Sequence, residues 1–380
     1  MTKNTINHIL LTGQSLSAGY NGWPPLSTSQ PFKNLMLHKE ELIPLTEHGV
    51  ETPASALANT ICALSAPPYP RILLTSHGVN GYPYKLLKKG TLPYQAGIRQ
   101  VKSGMHTTTL QGFNYEIIGI ACIHGESDHM NGNSAVYESY LHKWQKDYQK
   151  DISQILGEEK QIPFFTDQMC SYTVLGSEVS TSPIHKSFSR IPLAQLSASE
   201  NNPLIYLVGP KYQLSYSDGV HLDAQGYRLL GEYYGKVMKQ VLWDNKQWRP
   251  LSPERTELKD DSIVIKFHVP VPPLVLDTER VIKKENFGFE CLEGETHITI
   301  NSLSLENENT IRLNLSRKPD PRITRVRYAL SGEADSLAGA MEIGSVGGNV
   351  RDSDPIIGTF TEKPLFNWLV QFEEELQPDF

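Results

Sequence analysis

The sequence predicts an α/β protein: a doubly wound, five-stranded parallel sheet followed by a β-sandwich module. Three observations predict it. Five near-continuous apolar runs are spread over the first 245 residues, helix-period stretches separate them, and after residue 257 the pattern changes to short alternating strands. A length of 380 residues fits two domains at roughly 100–200 residues each, and the composition break places them at 1–248 and 249–380.

The runs are residues 8–12 (HILLT), 71–76 (RILLTS), 117–123 (IIGIACI), 162–166 (IPFFT) and 204–208 (LIYLV). Each reads as a strand buried on both faces. Between the first two, Leu57, Ile61 and Leu64 recur at helical spacing. A clearer helix carries Tyr137, Tyr140, Leu141, Trp144, Tyr148, Ile152 and Ile155 on one stripe. The last begins at Asp223, a good N-cap, and presents Leu229, Leu230, Tyr233, Tyr234, Val237, Met238 and Val241. Residues 248–257 (WRPLSPERTE) hold two prolines and several charges and read as a linker. Strands are then expected at 262–269, 296–305, 310–315 and 323–329, with turns at 307–309 and 318–321.

Composition removes several function classes. The balance of 35 basic to 42 acidic residues gives a net charge of −7 with no basic block, so nucleic acid is not expected as a partner. No apolar run approaches the roughly 20 residues of a membrane span, so no membrane partner is expected. Residues 1–7 hold one lysine and no secretory pattern, so the chain reads as lacking a leader: cytoplasmic, exported by another route, or part of a phage or virion particle. Cys62, Cys122, Cys170 and Cys291 lie far apart in apolar segments and read as buried thiols. No exposed heptad pattern demands an oligomer.

Ligands of an open parallel sheet bind beyond the carboxyl ends of its strands. There the sequence places Gly13-Gln14-Ser15, then His77-Gly78-Val79-Asn80-Gly81-Tyr82, then His124-Gly125-Glu126-Ser127-Asp128-His129, then Asp167-Gln168, and finally Ser217-Asp218-Gly219-Val220-His221. Ser15 is either a helix cap or a nucleophile on a strand-to-helix turn. The i, i+3 pair Asp218 and His221 is either a loop-closing ion pair or the acid–base half of a triad. The His124–His129 cluster could be considered for a metal, but it lacks the later P-C-x-x-C of zinc deaminases and misses H-E-x-x-H. No metal or other cofactor is expected.

In their order these blocks resemble the SGNH (GDSL-like) hydrolases, specifically carbohydrate esterases of the sialate O-acetylesterase and acetylxylan-esterase type. Those enzymes carry GQS, as in Gly13-Gln14-Ser15, then GESD, as in Gly125-Glu126-Ser127-Asp128, then DxxH, as in Asp218 and His221. The resemblance spans residues 8–240. It implies a flavodoxin-like sheet and a triad of Ser15, His221 and Asp218. It also implies oxyanion donors from the N–H of Ser15 and of a glycine after the second strand, Gly81 in preference to Gly78. The activity implied is removal of O-acetyl groups from a carbohydrate.

The chain departs from the wider family in lacking an asparagine donor in the third block. His124 stands where a glutamine usually precedes GESD, and the third donor is open between the His124 N–H and a water. Gln14, Gly125, Glu126 and Asp128 are expected to scaffold the site. Asn21, Trp23, Tyr82, Tyr84 and Gln168 are candidates to line the mouth, where aromatics and amides suit sugar rings. Residues 326–329 (VRYA) also resemble the accessory β-domain of sialate O-acetylesterases. Two alternatives stay open: a carbohydrate- or receptor-binding module on a degenerate hydrolase scaffold, and a lipid esterase or thioesterase. The absence of a long apolar lid segment argues against lipids.

Overall fold

The five apolar runs become parallel neighbours. The computed structural model describes residues 4–171, 178–179, 186–333 and 345–376. The first part holds β1 (Thr5–Gly13), β2 (Leu35–His38), β3 (Glu41–Pro44), α1 (Pro53–Ala63), β4 (Arg71–Ser76), α2 (Tyr84–Leu87), α3 (Leu92–Leu110), β5 (Asn114–Ile123), α4 (Glu126–Met130), α5 (Tyr137–Leu156) and β6 (Phe164–Gln168). Two short strands, β7 (Glu178–Val179) and β8 (Lys186–Phe188), precede α6 (Ile191–Asn201), β9 (Ile205–Pro210) and α7 (Ala224–Leu242).

The main sheet runs β3-β2-β4-β1-β5-β6-β9, with every pair parallel except the β2–β3 hairpin. It therefore has seven strands, not the expected five. The five predicted runs form its parallel body, and the hairpin extends one edge. β1 shows why its run is continuous. Ile9 and Leu11 join the apolar cluster on one face while Leu10 joins that on the other, as period-2 side chains buried on both sides require.

The helices sit close where glycines allow it. A Cβ at Gly231 of α7 would lie 2.4 Å from the Pro53 carbonyl oxygen of α1, and one at Gly235 would lie 2.6 Å from that of Leu57. Asp223 caps α7 as expected, its side chain accepting the Gly226 N–H at 2.7 Å.

From residue 252 the strands turn antiparallel: β10 (Ser252–Lys259), β11 (Ser262–His268), β12 (Val275–Leu276), β13 (Phe289–Glu293), β14 (Thr296–Ile298), β15 (Ile300–Asn307), β16 (Thr310–Leu315), β17 (Thr324–Tyr328), β18 (Ser331–Glu333), β19 (Val350–Arg351) and β20 (Phe372–Glu375). Two four-stranded sheets result, β10-β11-β16-β15 and β14-β13-β17-β20. The expected linker is half strand, because its second half is β10. Its first half is pinned by Trp248 Nε1, which donates to the Leu207 carbonyl at 2.7 Å.

The apolar cluster on the α1–α7 face continues without a break into these sheets, through Ile263, Ile311, Val326 and Phe372. Buried polar contacts reinforce the junction. Lys236 of α7 reaches Asp354 at 3.0 Å and Asn367 at 2.7 Å, and the Tyr212 hydroxyl donates to the Leu369 carbonyl at 2.7 Å. Burial lowers the Lys236 pKa despite the pull of Asp354. All four cysteines are buried and free. Among the described residues no helix is long and apolar enough to cross a membrane.

Candidate active site

Ser15 opens a single 3-10 turn, Ser15–Ala18, directly after β1. The chain can leave the strand so abruptly because Gly13 takes φ 133°, and a Cβ there would lie 2.0 Å from the Ile123 carbonyl oxygen. The Gln14 N–H donates to that same oxygen at 3.1 Å, and Gln14 Oε1 accepts the Ser127 N–H at 3.0 Å. The Ser15 turn is thus sewn to the Gly125-Glu126-Ser127-Asp128 block. Asp128 in turn accepts the Tyr84 N–H and the Asn133 amide, each at 2.6 Å.

His221 arrives on the loop between β9 and α7. Its Nε2 lies 2.9 Å from Ser15 Oγ, and its Nδ1 lies 2.9 Å from Asp218 Oδ2. The tight turn between them is held by Asp218 Oδ1, which accepts the N–H groups of Val220 at 2.7 Å and His221 at 2.6 Å. A carboxylate on Nδ1 fixes the proton there and leaves the Nε2 lone pair facing the serine hydroxyl. Partial burial tends to raise the Asp218 pKa. The His221 N–H, its ring and the Val220 N–H outweigh that and hold the carboxyl below the usual range. The Tyr20 ring packs on the imidazole, centroid to centroid 4.6 Å.

Gly78, not Gly81, lies against the Ser15 turn. A Cβ on Gly78 would stand 1.9 Å from Ser17 Oγ and 3.3 Å from the Gln14 carbonyl oxygen, whereas Gly81 sits exposed with nothing within 4 Å of a Cβ. The neighbouring Val79 N–H is spent on the Gly13 carbonyl at 3.1 Å.

His124 does not serve as the third donor. It is wholly buried, and burial lowers its pKa, so the ring is neutral. Both nitrogens are taken: Nε2 donates to the Tyr82 carbonyl at 3.0 Å, and Nδ1 accepts the Tyr137 hydroxyl at 2.8 Å. A neutral imidazole has one proton, and here it is committed.

Beneath the site lies an ion cluster that sequence reasoning missed. Lys211 Nζ, fully buried just past β9, sits 2.9 Å from Glu126 Oε1 and 2.7 Å from Asp167 Oδ2. Tyr234 donates to the other Asp167 oxygen at 2.7 Å. Burial opposes the charge of Glu126, but the Lys211 ammonium prevails and lowers its pKa. At Asp167 burial prevails and raises it. Burial alone would strip the proton from Lys211; the two carboxylates push its pKa up instead. The one signal for it was a lysine following the last strand at the edge where Glu126 and Asp167 end theirs.

The expected mouth residues divide. Trp23 is 74% exposed, and Tyr82 lines an open cavity of about 430 Å³ with Gly78 and Arg99. Asn21 is instead a support for the acid, its Nδ2 donating to Asp218 Oδ2 at 2.8 Å. Tyr84 is buried, stacked on Tyr140 at 4.4 Å. Gln168 is fully buried, donating to the carbonyls of Pro192 at 3.0 Å and Gln371 at 2.9 Å and accepting the Gln371 N–H at 2.8 Å. Neither Tyr84 nor Gln168 can meet a substrate. Among the described residues no three His, Cys, Asp or Glu side chains gather as a metal site.

The fold is similar to that of a carbohydrate acetylesterase from Xanthomonas citri, which aligns over 97% of this chain and 81% of its own with 12% identity and a TM-score of 0.59. A protein from Arabidopsis thaliana matches over 63% of this chain and 99% of its own, 18% identical with a TM-score of 0.48. NanS matches over 65% and 100%, 13% identical with a TM-score of 0.48. No family model and no curated protein matches the sequence. The likeness expected from the Gly-Gln-Ser and Gly-Glu-Ser-Asp blocks is met at the level of the fold by the Xanthomonas citri protein.

Proposed function

We propose that the protein is a serine esterase that removes O-acetyl groups from a carbohydrate. One observation carries the reading: Asp218, His221 and Ser15 form an unbroken hydrogen-bonded relay, 2.9 Å at each of its two steps. Ser15 Oγ attacks the acetyl carbonyl carbon while His221 Nε2 takes its proton. Asp218 stabilises the imidazolium that results. The imidazolium then protonates the departing sugar hydroxyl, and water, deprotonated by the same nitrogen, releases acetate from Ser15.

The oxyanion is held by the backbone N–H groups of Ser15 and Gly78. Neither finds a backbone acceptor among the described residues, and Gly78 is the glycine that touches the nucleophile turn. Each such donor is worth about 3–4 kcal/mol in the transition state. The sugar side is assigned to Trp23 and Tyr20, exposed aromatics within the eight residues that follow Ser15, a placement suited to stacking a pyranose. Residues 1–248 supply the chemistry, and residues 249–380 brace the sheet.

Hydrolysis of p-nitrophenyl acetate, with butyryl and octanoyl esters alongside, tests the reading on wild type, Ser15→Ala and His221→Ala. Turnover that falls with acyl length and vanishes in both variants supports it. Equal inertness of all three sinks the esterase and leaves a binding module. Turnover that rises with acyl length moves the substrate to lipids.

A further inference from the structure

A cavity of about 810 Å³ opens at the end of the sheet opposite Ser15. It is bordered by Asn7 near the start of β1, Arg71 at the start of β4, and Trp243, just after α7. β1 separates it from the nucleophile by the length of a nine-residue strand, roughly 30 Å. It is a different site.

Its charge runs against that of the whole protein. In a chain of net charge −7, this cavity is lined by Lys33 and Arg71 and by no carboxylate. Neither cation finds an ion-pair partner among the described residues. The Arg71 guanidinium carbon lies over the Phe113 ring, 4.6 Å from its centroid, a cation–π contact that uses the face of the group and none of its N–H donors. Phe32 and Tyr69 add an edge-to-face aromatic wall, centroids 5.2 Å apart, with Tyr69 half exposed.

The rim discriminates among anions. α1 ends at Ala63 just before Ser65, and α7 ends at Leu242 just before Trp243, so two helix C-termini border the cavity. Their negative ends disfavour a densely charged phosphate, and no helix N-terminus or glycine-rich loop of the kind phosphates use appears in the lining. A planar fork suits a single carboxylate, and aromatic walls suit the C–H face of a sugar ring.

We propose that this cavity is a second, non-catalytic binding site for an acidic sugar residue, with Arg71 and Lys33 receiving its carboxylate and the Phe32–Tyr69 wall its ring. The claim stands on residues remote from Ser15 and does not depend on the esterase reading. An esterase with such a site would be held on an acidic glycan at one end while its serine works at the other.

Calorimetric titration of the intact protein with unacetylated trigalacturonate tests it, because that ligand carries no ester to cleave. Saturable binding is expected, weakened at least about tenfold in Arg71→Gln and in the surface variant Lys33→Gln. Tyr69→Ala should weaken it as well, with p-nitrophenyl acetate turnover equal to wild type in all three. Absence of binding, or binding unchanged in both charge variants, overturns the proposal. So does equal affinity for the neutral galactose trimer, and tighter binding of adenosine monophosphate would assign the cavity to a phosphate ligand instead. Loss of turnover in Ser15→Ala without loss of trigalacturonate binding keeps the two sites separate.

Discussion

Two clusters of ionisable side chains stand at the same edge of the parallel sheet, built in opposite ways. The Asp218–His221 pair is open, with side chains 41% and 17% exposed. The Glu126–Lys211–Asp167 cluster is sealed, none of its side chains more than 1% exposed. The exposed pair sits where changing its charge is cheap. A cluster that holds geometry is kept where any change of charge is heavily penalised. The second serves the first: Glu126 lies between Gly125 and Ser127, whose N–H groups grip Gln14, and Lys211 opens the loop that ends in His221.

Replacing Ser15 by alanine is the widest way to separate the two. Esterase turnover should drop by about four to six orders of magnitude, while the urea midpoint stays within the ~0.5 kcal/mol typical of a neutral change. Lys211→Met should do the reverse, leaving two buried carboxylates unpaired at a cost of about 3–5 kcal/mol in unfolding free energy. The triple variant Lys211→Met, Glu126→Gln, Asp167→Asn should recover much of that loss. An unchanged midpoint for Lys211→Met would show that the cluster does not hold the edge.

Asn21→Ala sharpens the comparison from the open side. It removes one donor from Asp218 and should lower kcat about tenfold, the value of a hydrogen bond to a charged group, with KM nearly unchanged. The smallest effect is in pH. Because the folded Asp218 pKa is depressed below its ordinary 3.8, its contribution to stability is present above that value and lost as pH falls through the folded one. Stability curves of wild type and Asp218→Asn should therefore run parallel at neutral pH and converge in acid. Convergence toward alkaline pH would contradict the sign.

The parallel body of the fold was legible because strands buried on both faces leave uninterrupted apolar text, and the residues behind them name a common edge. Elements that pack through small or polar residues were not. α3 buries Gly97, Gly104 and Thr108 beside Tyr94 and Val101, and a Cβ on Gly97 would meet the His77 ring at 2.6 Å. Close approach has replaced bulk there, and the helical stripe disappears from the sequence. The β2–β3 hairpin is half exposed and turns on Lys39 and Glu40, at φ 45° and 66°, with none of the Asn-Gly chemistry that advertises such turns. At the site, the order of Ser15, Asp218 and His221 was readable, but partners were not. Gln168 and Trp23 both follow the rule of lying beyond strand ends, yet one is sealed under the second set of sheets and the other stands in solvent. Only the tertiary fold separates them.

The bond between the Gln168 side chain and the Gln371 backbone joins residues 203 positions apart, and that distance has a meaning in biosynthesis. When β6 and α7 have left the ribosome, Lys236 still waits for the Leu365 carbonyl and for Asn367, and Gln168 for the backbone of Gln371. The nascent chain is then most exposed to aggregation and to capture by chaperones. Arrival of residues 365–372 closes both at once, so the edge of the sheet at β6 is completed only after those residues have been made.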